Sequence, residues 1–537
     1  MTTFNLVDEP WIIVFARDGS IAERSIRDVL IGADDVASVG GDIPTQQFAV
    51  TRLLLAIVRR AVDWTADPLQ RWSELWSAGV LPRNEIIAYL DSVRDRFDLC
   101  DPERPFYQVP DFQNAKGEMK PVTLMISDVP AGHSYFTTRA GSGATHLALA
   151  ETARWVVHTQ AYDTSGIKTG DPRDPRSKGG KGYPIGIAWC GQLGGILAES
   201  KNLARTLLLN MPLRTSTTSL VVDGDLPCWE REHLGVCARE EAAPSGPIDL
   251  LTWQSRRIKV AFDGDRATGV LVGNGDPLEP FAQLRAEHLT GWRFSEQQSK
   301  KRGGETFYPR TFDADRSVWE GFENLLLDAN GDGIRGRTAT VFEWLDLLVD
   351  QEIIDTSLVV IPHVFGMRYD TQSSVIGASI DDRIALRVAN FGRDGCRRVA
   401  VEAARVAVRV AGVIGTLSRD LTRAAGGEGD SDSASARTEF LSRLDVPFRS
   451  WLLELGIGDI EEHLILWHRL VHRAAVTSGT TLIESAGRPA FVGRTVVGRD
   501  RKPLWLDAPR CEQFFRAALN REAPGAFNHE KESADVG

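Results

Sequence analysis

The last third of the chain repeats its apolar residues at a spacing that packed helices satisfy and strands do not. From Arg397 to Ala424, the residues Val399, Val406, Val410, Val413, Leu417 and Leu421 follow three-four intervals and so share one helix face. Phe440, Leu444, Phe448, Trp451 and Leu455 repeat the stripe, with Pro447 marking a kink or a start within that segment. Ile460, Leu464, Trp467, Val471 and Ala474 make a third stripe, and Phe514 to Leu519 a short fourth. Between the first two, the acidic run from Gly426 to Ser433 reads as a flexible loop. A helix with one apolar stripe must bury it against another, so four of them predict a bundle.

A bundle of that size leaves most of the 537 residues for a second core. The expected class is α+β. A mixed α/β domain would span residues 1–384, a four-helix bundle 385–523, and a disordered tail 524–537. Within the first domain, Phe4 to Val14 reads as a strand closed by an Asp18-Gly19 turn. Pro44 opens an amphipathic helix, with Leu54, Val58 and Val62 on one face and Arg52, Arg59 and Arg60 on the other. Helices are expected over Leu69–Trp76, Asn84–Asp95, Leu147–Ala161 and Arg316–Leu327. Strands are expected over Leu220–Val222, Arg257–Phe262 and Thr268–Val272. From Asp98 to Tyr183 the text is rich in Gly, Pro, Ser and Thr, the composition of loops that carry binding residues on a rigid scaffold.

Charge and cysteine usage narrow the function. Six scattered cysteines without a C-x-x-C pair argue against a zinc ribbon or a disulfide framework and suit a reducing cytoplasm. The longest early apolar run, Leu53 to Val58, is too short to span a bilayer, and Asp8 and Glu9 precede any basic residue, so neither membrane nor secretory signal is expected. A net charge of −11 is unlike that of a protein clamping duplex DNA alone.

Enzyme-like motifs fail on inspection. Asp328 to Gly333 opens like a calcium loop, but its twelfth position is Ala339 where a bidentate Glu is needed. His468 and His472 stand four apart on the third stripe, yet Arg469 occupies the place of a zinc-protease Glu. These two features define the competing reading, a metal-dependent phosphodiesterase or nuclease; a scaffold that never touches DNA is the third. The softer signal is a basic, glycine-rich stretch from Gly166 to Lys181 that includes Lys168, Gly170, Arg173, Arg176 and Lys178. Such a backbone can approach a sugar-phosphate chain closely. Lys300-Lys301-Arg302 reads as a second basic loop, and Arg398, Arg405 and Arg409 with Glu402 as a solvated ion-pair face.

Four strings in order carry a resemblance. They are Phe4 to Ile12 (FNLVDEPWI), Arg104 to Gln108 (RPFYQ), Leu208 to Pro212 (LLNMP) and Leu251 to Arg257 (LTWQSRR). Together they resemble the CasA family, the large subunit of the type I-E CRISPR Cascade complex. The resemblance implies a subunit with no catalytic activity and no cofactor, whose partners are crRNA, double-stranded target DNA, other Cascade subunits and a helicase-nuclease. Some relatives carry paired zinc-binding cysteines, but Cys228 and Cys237 alone cannot make a four-ligand site, so no zinc is expected. Such a subunit contacts the crRNA 5′ handle, recognises the protospacer-adjacent motif, helps open the duplex and recruits the helicase-nuclease. By resemblance, Tyr135, Phe136, Thr138 and Arg139 belong to the handle loop, and Gly166, Lys168, Thr169 and Gly170 to a minor-groove loop in which Lys168 and Thr169 replace glycines. Thr371, Gln372 and Ser373 belong to a wedge; the family's groove-reaching lysine has no firm counterpart in this sequence, Lys259 being one candidate. The acidic balance then implies that neighbouring subunits carry most of the phosphate neutralisation.

Overall fold

The computed structural model describes residues 2–129, 145–232, 235–239, 243–326, 335–390, 395–498 and 501–527. The chain divides into two compact units. One comprises Met1–Asp315, Leu327–Asp355 and Val360–Arg383; the other comprises Arg316–Leu326, Thr356–Val359 and Ile384–Gly537.

The first unit starts with a small antiparallel sheet of β1 (Ile12–Ala16), β2 (Ile21–Arg24) and β3 (Val36–Val39), with β1 in the middle. Helix α1 (Pro44–Ala61) follows. It is not the amphipathic surface helix its sequence suggests, because side chains from Thr45 to Arg59 are buried all round. The arginines make this possible by finding partners inside. Arg52 pairs with Glu287 at 2.9 Å, and Arg59 donates to the carbonyls of Pro212 and Leu220 at 2.8 and 2.6 Å. Burial pulls the Arg59 guanidinium down to about 10, only partly offset by the charge of Asp225.

Helix α2 (Leu149–Tyr162) lies against α1, where Thr45 Oγ1 and His158 Nε2 sit 2.8 Å apart. The chain then forms β4 (Lys168–Thr169), β5 (Ser177–Lys178) and β6 (Lys181–Gly182), three very short strands. Next come β7 (Gly195–Glu199), β8 (Arg256–Asp263) and β9 (Arg266–Asn274). One sheet has the order β8-β9-β4-β6-β5, so the glycine-rich stretch is an ordered hairpin on a sheet edge. A long hairpin of β10 (Val359–Asp370) and β11 (Val375–Arg383) packs on β7, which pairs with β10 from Ile361 to Phe365. Leu220–Val222 is irregular rather than a strand. Lys300-Lys301-Arg302 ends the helix Glu296–Arg302, where Lys300 pairs with Glu296 and Arg302 covers the Phe281 ring, so no basic loop exists there.

The second unit is helical. Helix α3 (Cys396–Ala425) packs against α4 (Asp430–Glu454), α5 (Ile460–Ser485) and α6 (Ala508–Glu522). Its buried Ala400, Ala403, Ala404, Ala407 and Ala411 let neighbours approach closely, and Trp467 Nε1 reaches the Ala403 carbonyl at 2.8 Å. Helix α4 runs unbroken through Pro447 and starts at Asp430, so the acidic loop is only Gly426–Gly429. Acidic residues in a helix's first turn suit its dipole, and Thr422 Oγ1 holds Asp432 at 2.8 Å. The segment Arg316–Leu326 joins this unit because Trp319 stacks on Phe448 at 4.6 Å and donates to Asp445 at 2.8 Å. Of the expected disordered tail, Pro524–Phe527 form a turn, with Gly525 buried and its N–H donating to His468 Nδ1 at 3.3 Å, and residues 528–537 lie outside the described residues.

Candidate nucleic-acid interface

Two loops of the first unit meet at its surface. The β10–β11 hairpin turns through Thr371, Gln372 and Ser373, whose φ angles of 46°, 55° and 61° are all left-handed. Each non-glycine residue there costs about 1–2 kcal/mol. The turn is closed by Ser374, whose N–H and Oγ both donate to the Thr371 carbonyl, at 3.2 and 2.7 Å. Thr371 and Gln372 are exposed. The hairpin is anchored below its tip by Tyr369, whose hydroxyl donates to the Tyr162 carbonyl at the end of α2, 2.6 Å away.

The second loop runs from Asp163 to Gly170. Ser165 N–H donates to the Ser373 carbonyl at 2.8 Å, so the glycine loop and the hairpin tip are bonded to each other. Below them Asp163 sits between two cations. It pairs with Lys168 Nζ at 2.6 Å and with Arg256 Nε. Arg256 is 1% exposed and also donates to the carbonyls of Thr164 and Gly186, at 2.9 and 2.8 Å. Burial pushes the Asp163 carboxyl up, but Lys168 and Arg256 outweigh it and hold the group below the usual carboxylate range.

The glycines of this loop differ in what they require. At Gly170 an added Cβ would lie 2.7 Å from Ser177 Oγ and 2.8 Å from Lys181 backbone, so the fold itself demands glycine. At Gly166 it would meet only Ser374 Cβ, at 3.8 Å, an ordinary contact. Among the described residues nothing requires Gly166 to lack a side chain.

The sequence-derived candidates therefore separate. Gly166, Thr371, Gln372 and Ser373 come together at the surface. Lys168 is turned inward to Asp163, and Thr169 and Gly170 are buried. Arg173 and Arg176 are held by Asp171, Asp111 and Asp174, although Arg173 stays exposed, and Lys178 and Lys181 are exposed cations on the β5–β6 hairpin. Lys259 is partly exposed on β8, opposite Leu271. Tyr135, Phe136, Thr138 and Arg139 lie outside the described residues, as does the Asp328–Gly333 motif. His468 is buried against Gly525 and His472 faces Asn520 Oδ1 at 3.4 Å; among the described residues no group of three or more His, Cys, Asp or Glu could hold a metal.

Sequence reasoning missed the parts that hold the site. Asp163 and Arg256 carried no chemical signature, although Arg256 lies in one of the quoted strings. That string is structural: Arg257 is fully buried on Asp276 at 2.7 Å, and Trp253 Nε1 donates to the Asp276 carbonyl. Adjacent arginines within an otherwise apolar stretch were the available signal, since two buried guanidiniums imply two sets of internal acceptors.

Comparison with known proteins adds to this geometry. The family model for CRISPR-associated protein Cse1 matches residues 5–478. The crystal structure of Thermobifida fusca Cse1 superposes with a TM-score of 0.89 at 38% identity, covering 98% of this chain and 99% of that chain. CRISPR-associated protein CasA/Cse1 of Thermus thermophilus is 26% identical over 425 residues, 75% of this chain and 78% of that protein. The fold recurs in a CRISPR RNA-guided surveillance complex, with a TM-score of 0.65 at 18% identity over 90% of this chain and all of that one.

Proposed function

The chain belongs to the CRISPR-associated protein Cse1 family, and we propose that it is the non-catalytic, target-recognising large subunit of a CRISPR RNA-guided surveillance complex. In this reading the glycine loop lies along the minor groove of the protospacer-adjacent motif, and the tip carrying Gln372 enters the duplex beside it. The observation that carries the reading is the paired loops themselves: a strained, exposed polar tip bonded through Ser373 to a glycine loop whose Gly166 the fold does not need. A backbone left bare without internal cause is one kept clear for an outside surface.

The roles divide by burial. Gly166 gives the groove its closest approach, while Lys168, Thr169 and Gly170 hold the loop's shape. Thr371 and Ser373 hold Gln372 in its left-handed turn, ready to disrupt the first base pair. Unstacking one step costs a few kcal/mol, which contacts and incipient guide pairing offset. By family resemblance Tyr135, Phe136, Thr138 and Arg139 contact the crRNA 5′ handle, and the complex recruits a helicase-nuclease. The net charge of −11 supports a division in which the other Cascade subunits carry most of the phosphate neutralisation.

Assembled complexes carrying Gly166→Val or Gln372→Ala test this on duplex targets with and without the motif. Gly166→Val is expected to remove roughly tenfold or more of motif-dependent affinity, in line with the worth of groove contacts. Gln372→Ala is expected to slow duplex opening. Unchanged binding and motif preference in both variants would leave the chain a scaffold.

A further inference from the structure

Lys168, the first residue of β4, turns its ammonium inward to Asp163, whereas Ile167 immediately before it is 59% exposed, as expected where successive side chains of an extended backbone point to opposite faces. Across the antiparallel pair, Lys168 faces Gly182 and Thr169 faces Lys181. The ladder ends at the Lys168–Gly182 pair, with Ile167 just before it and Tyr183 just after, so continuing its register by one step brings these two to facing positions, whose side chains project from one face. Tyr183 is 53% exposed, and its backbone is fixed by Asn274 Nδ2, which donates to its carbonyl at 2.6 Å. Exposed apolar side chains scattered singly are ordinary. Here two stand at the same open end of the β4–β6 pair, one of them next to Gly166, with exposed Lys178 and Lys181 on the same hairpin.

Opening a duplex exposes apolar base faces that a polar tip such as Gln372 covers poorly. Aliphatic side chains entering from the minor groove stabilise unstacked steps, and aromatic rings stack on single bases. Resting on the DNA-facing reading of this surface, we propose that Ile167 and Tyr183 form an apolar ledge that receives the first unstacked base step beside the motif. Lys178 and Lys181 then lie on the flanking phosphates.

The test compares assembled complexes on two targets: a fully paired duplex with the motif, and the same duplex mismatched at the first two pairs beside it. Both side chains are exposed, so Ile167→Ala/Tyr183→Ala is expected to fold normally. It should bind the paired duplex roughly tenfold more weakly, the loss of about one base-stacking contact. On the mismatched target, already unstacked, it should come within about twofold of wild type, because only the opening step depends on the ledge. Tyr183→Phe should retain full binding, since stacking does not use the hydroxyl. A 2-aminopurine at the first position should stay quenched longer in the double variant. Equal loss on both targets would overturn the ledge. So would unchanged binding to the paired duplex where Gln372→Ala weakens it, and in that case the DNA-facing reading survives. Should Gln372→Ala and Gly166→Val also change nothing, that reading fails and the ledge with it.

Discussion

Replacing Asp163 with asparagine should detach the glycine loop from its foundation. The carboxylate neutralises Lys168 at 2.6 Å and the fully buried Arg256, with side-chain exposures of 10%, 11% and 1% respectively. Removing one partner of a buried ion pair typically costs 3–5 kcal/mol, because the other charge is left uncompensated. Arg256 keeps the carbonyls of Thr164, Gly186 and Ser255 as acceptors, so the lower end, about 3 kcal/mol, is expected. With a urea slope of about 3 kcal/mol per molar, the midpoint falls by about 1 M. Lys168→Met should cost only about 1 kcal/mol, since Arg256 still neutralises Asp163. The carboxyl is held below its ordinary value, so its contribution is present above the unfolded pKa and lost only as pH falls through the folded one. At pH 7 it is complete. Urea melts of both variants at pH 7 decide the matter. A midpoint shift below about 0.3 M for Asp163→Asn, or a larger shift for Lys168→Met, would refute the two-cation account.

Gly170→Val should destabilise the first unit while Gly166→Val leaves its melting unchanged, because only the former drives a side chain into Lys181 backbone; thermal melts of the two variants check this. In the helical unit, Phe448 touches Trp319, Trp467 and Trp451 at ring distances of 4.6, 5.3 and 5.8 Å. Phe448→Ala should therefore cost about 3–5 kcal/mol in a urea melt. Burial holds His158 and His288 down to about 3, so both are neutral when folded. Each contributes stability that is full above its unfolded pKa and declines as pH falls, by roughly 1.5 kcal/mol between pH 6.5 and 5. Urea midpoints across that range should drop, and substituting both histidines with glutamine should flatten the slope.

The helical unit was legible in sequence because its signal is periodic: the stripe from Val399 to Leu421 lies on the buried face of α3. Its fourth member was read short, since α6 starts with Asp507 capping Arg510 N–H rather than with an apolar residue. Helix α1 was misread for the opposite reason. Arginines spaced as on a wet face find internal carbonyls and Glu287, which no local pattern reveals. At the candidate interface, motif resemblance pointed to Gly166 and Gln372, two hundred residues apart in sequence. The backbone bond between Ser165 and Ser373 depends on tertiary pairing alone and left no trace in composition. Basic residues misled in the same way as on α1: Arg173 and Arg176 turned out to serve neighbouring aspartates.

Photo-crosslinking from position 372 probes the site at its point of contact. A benzophenone amino acid replaces Gln372 in the assembled, guide-loaded complex, and target DNA is mapped at base resolution. Adducts confined to the base pair adjoining the motif, and lost when the motif is scrambled, are what the arrangement of tip and glycine loop requires. Adducts spread along the target, or equally abundant without the motif, would show that this hairpin does not sit where the strands part.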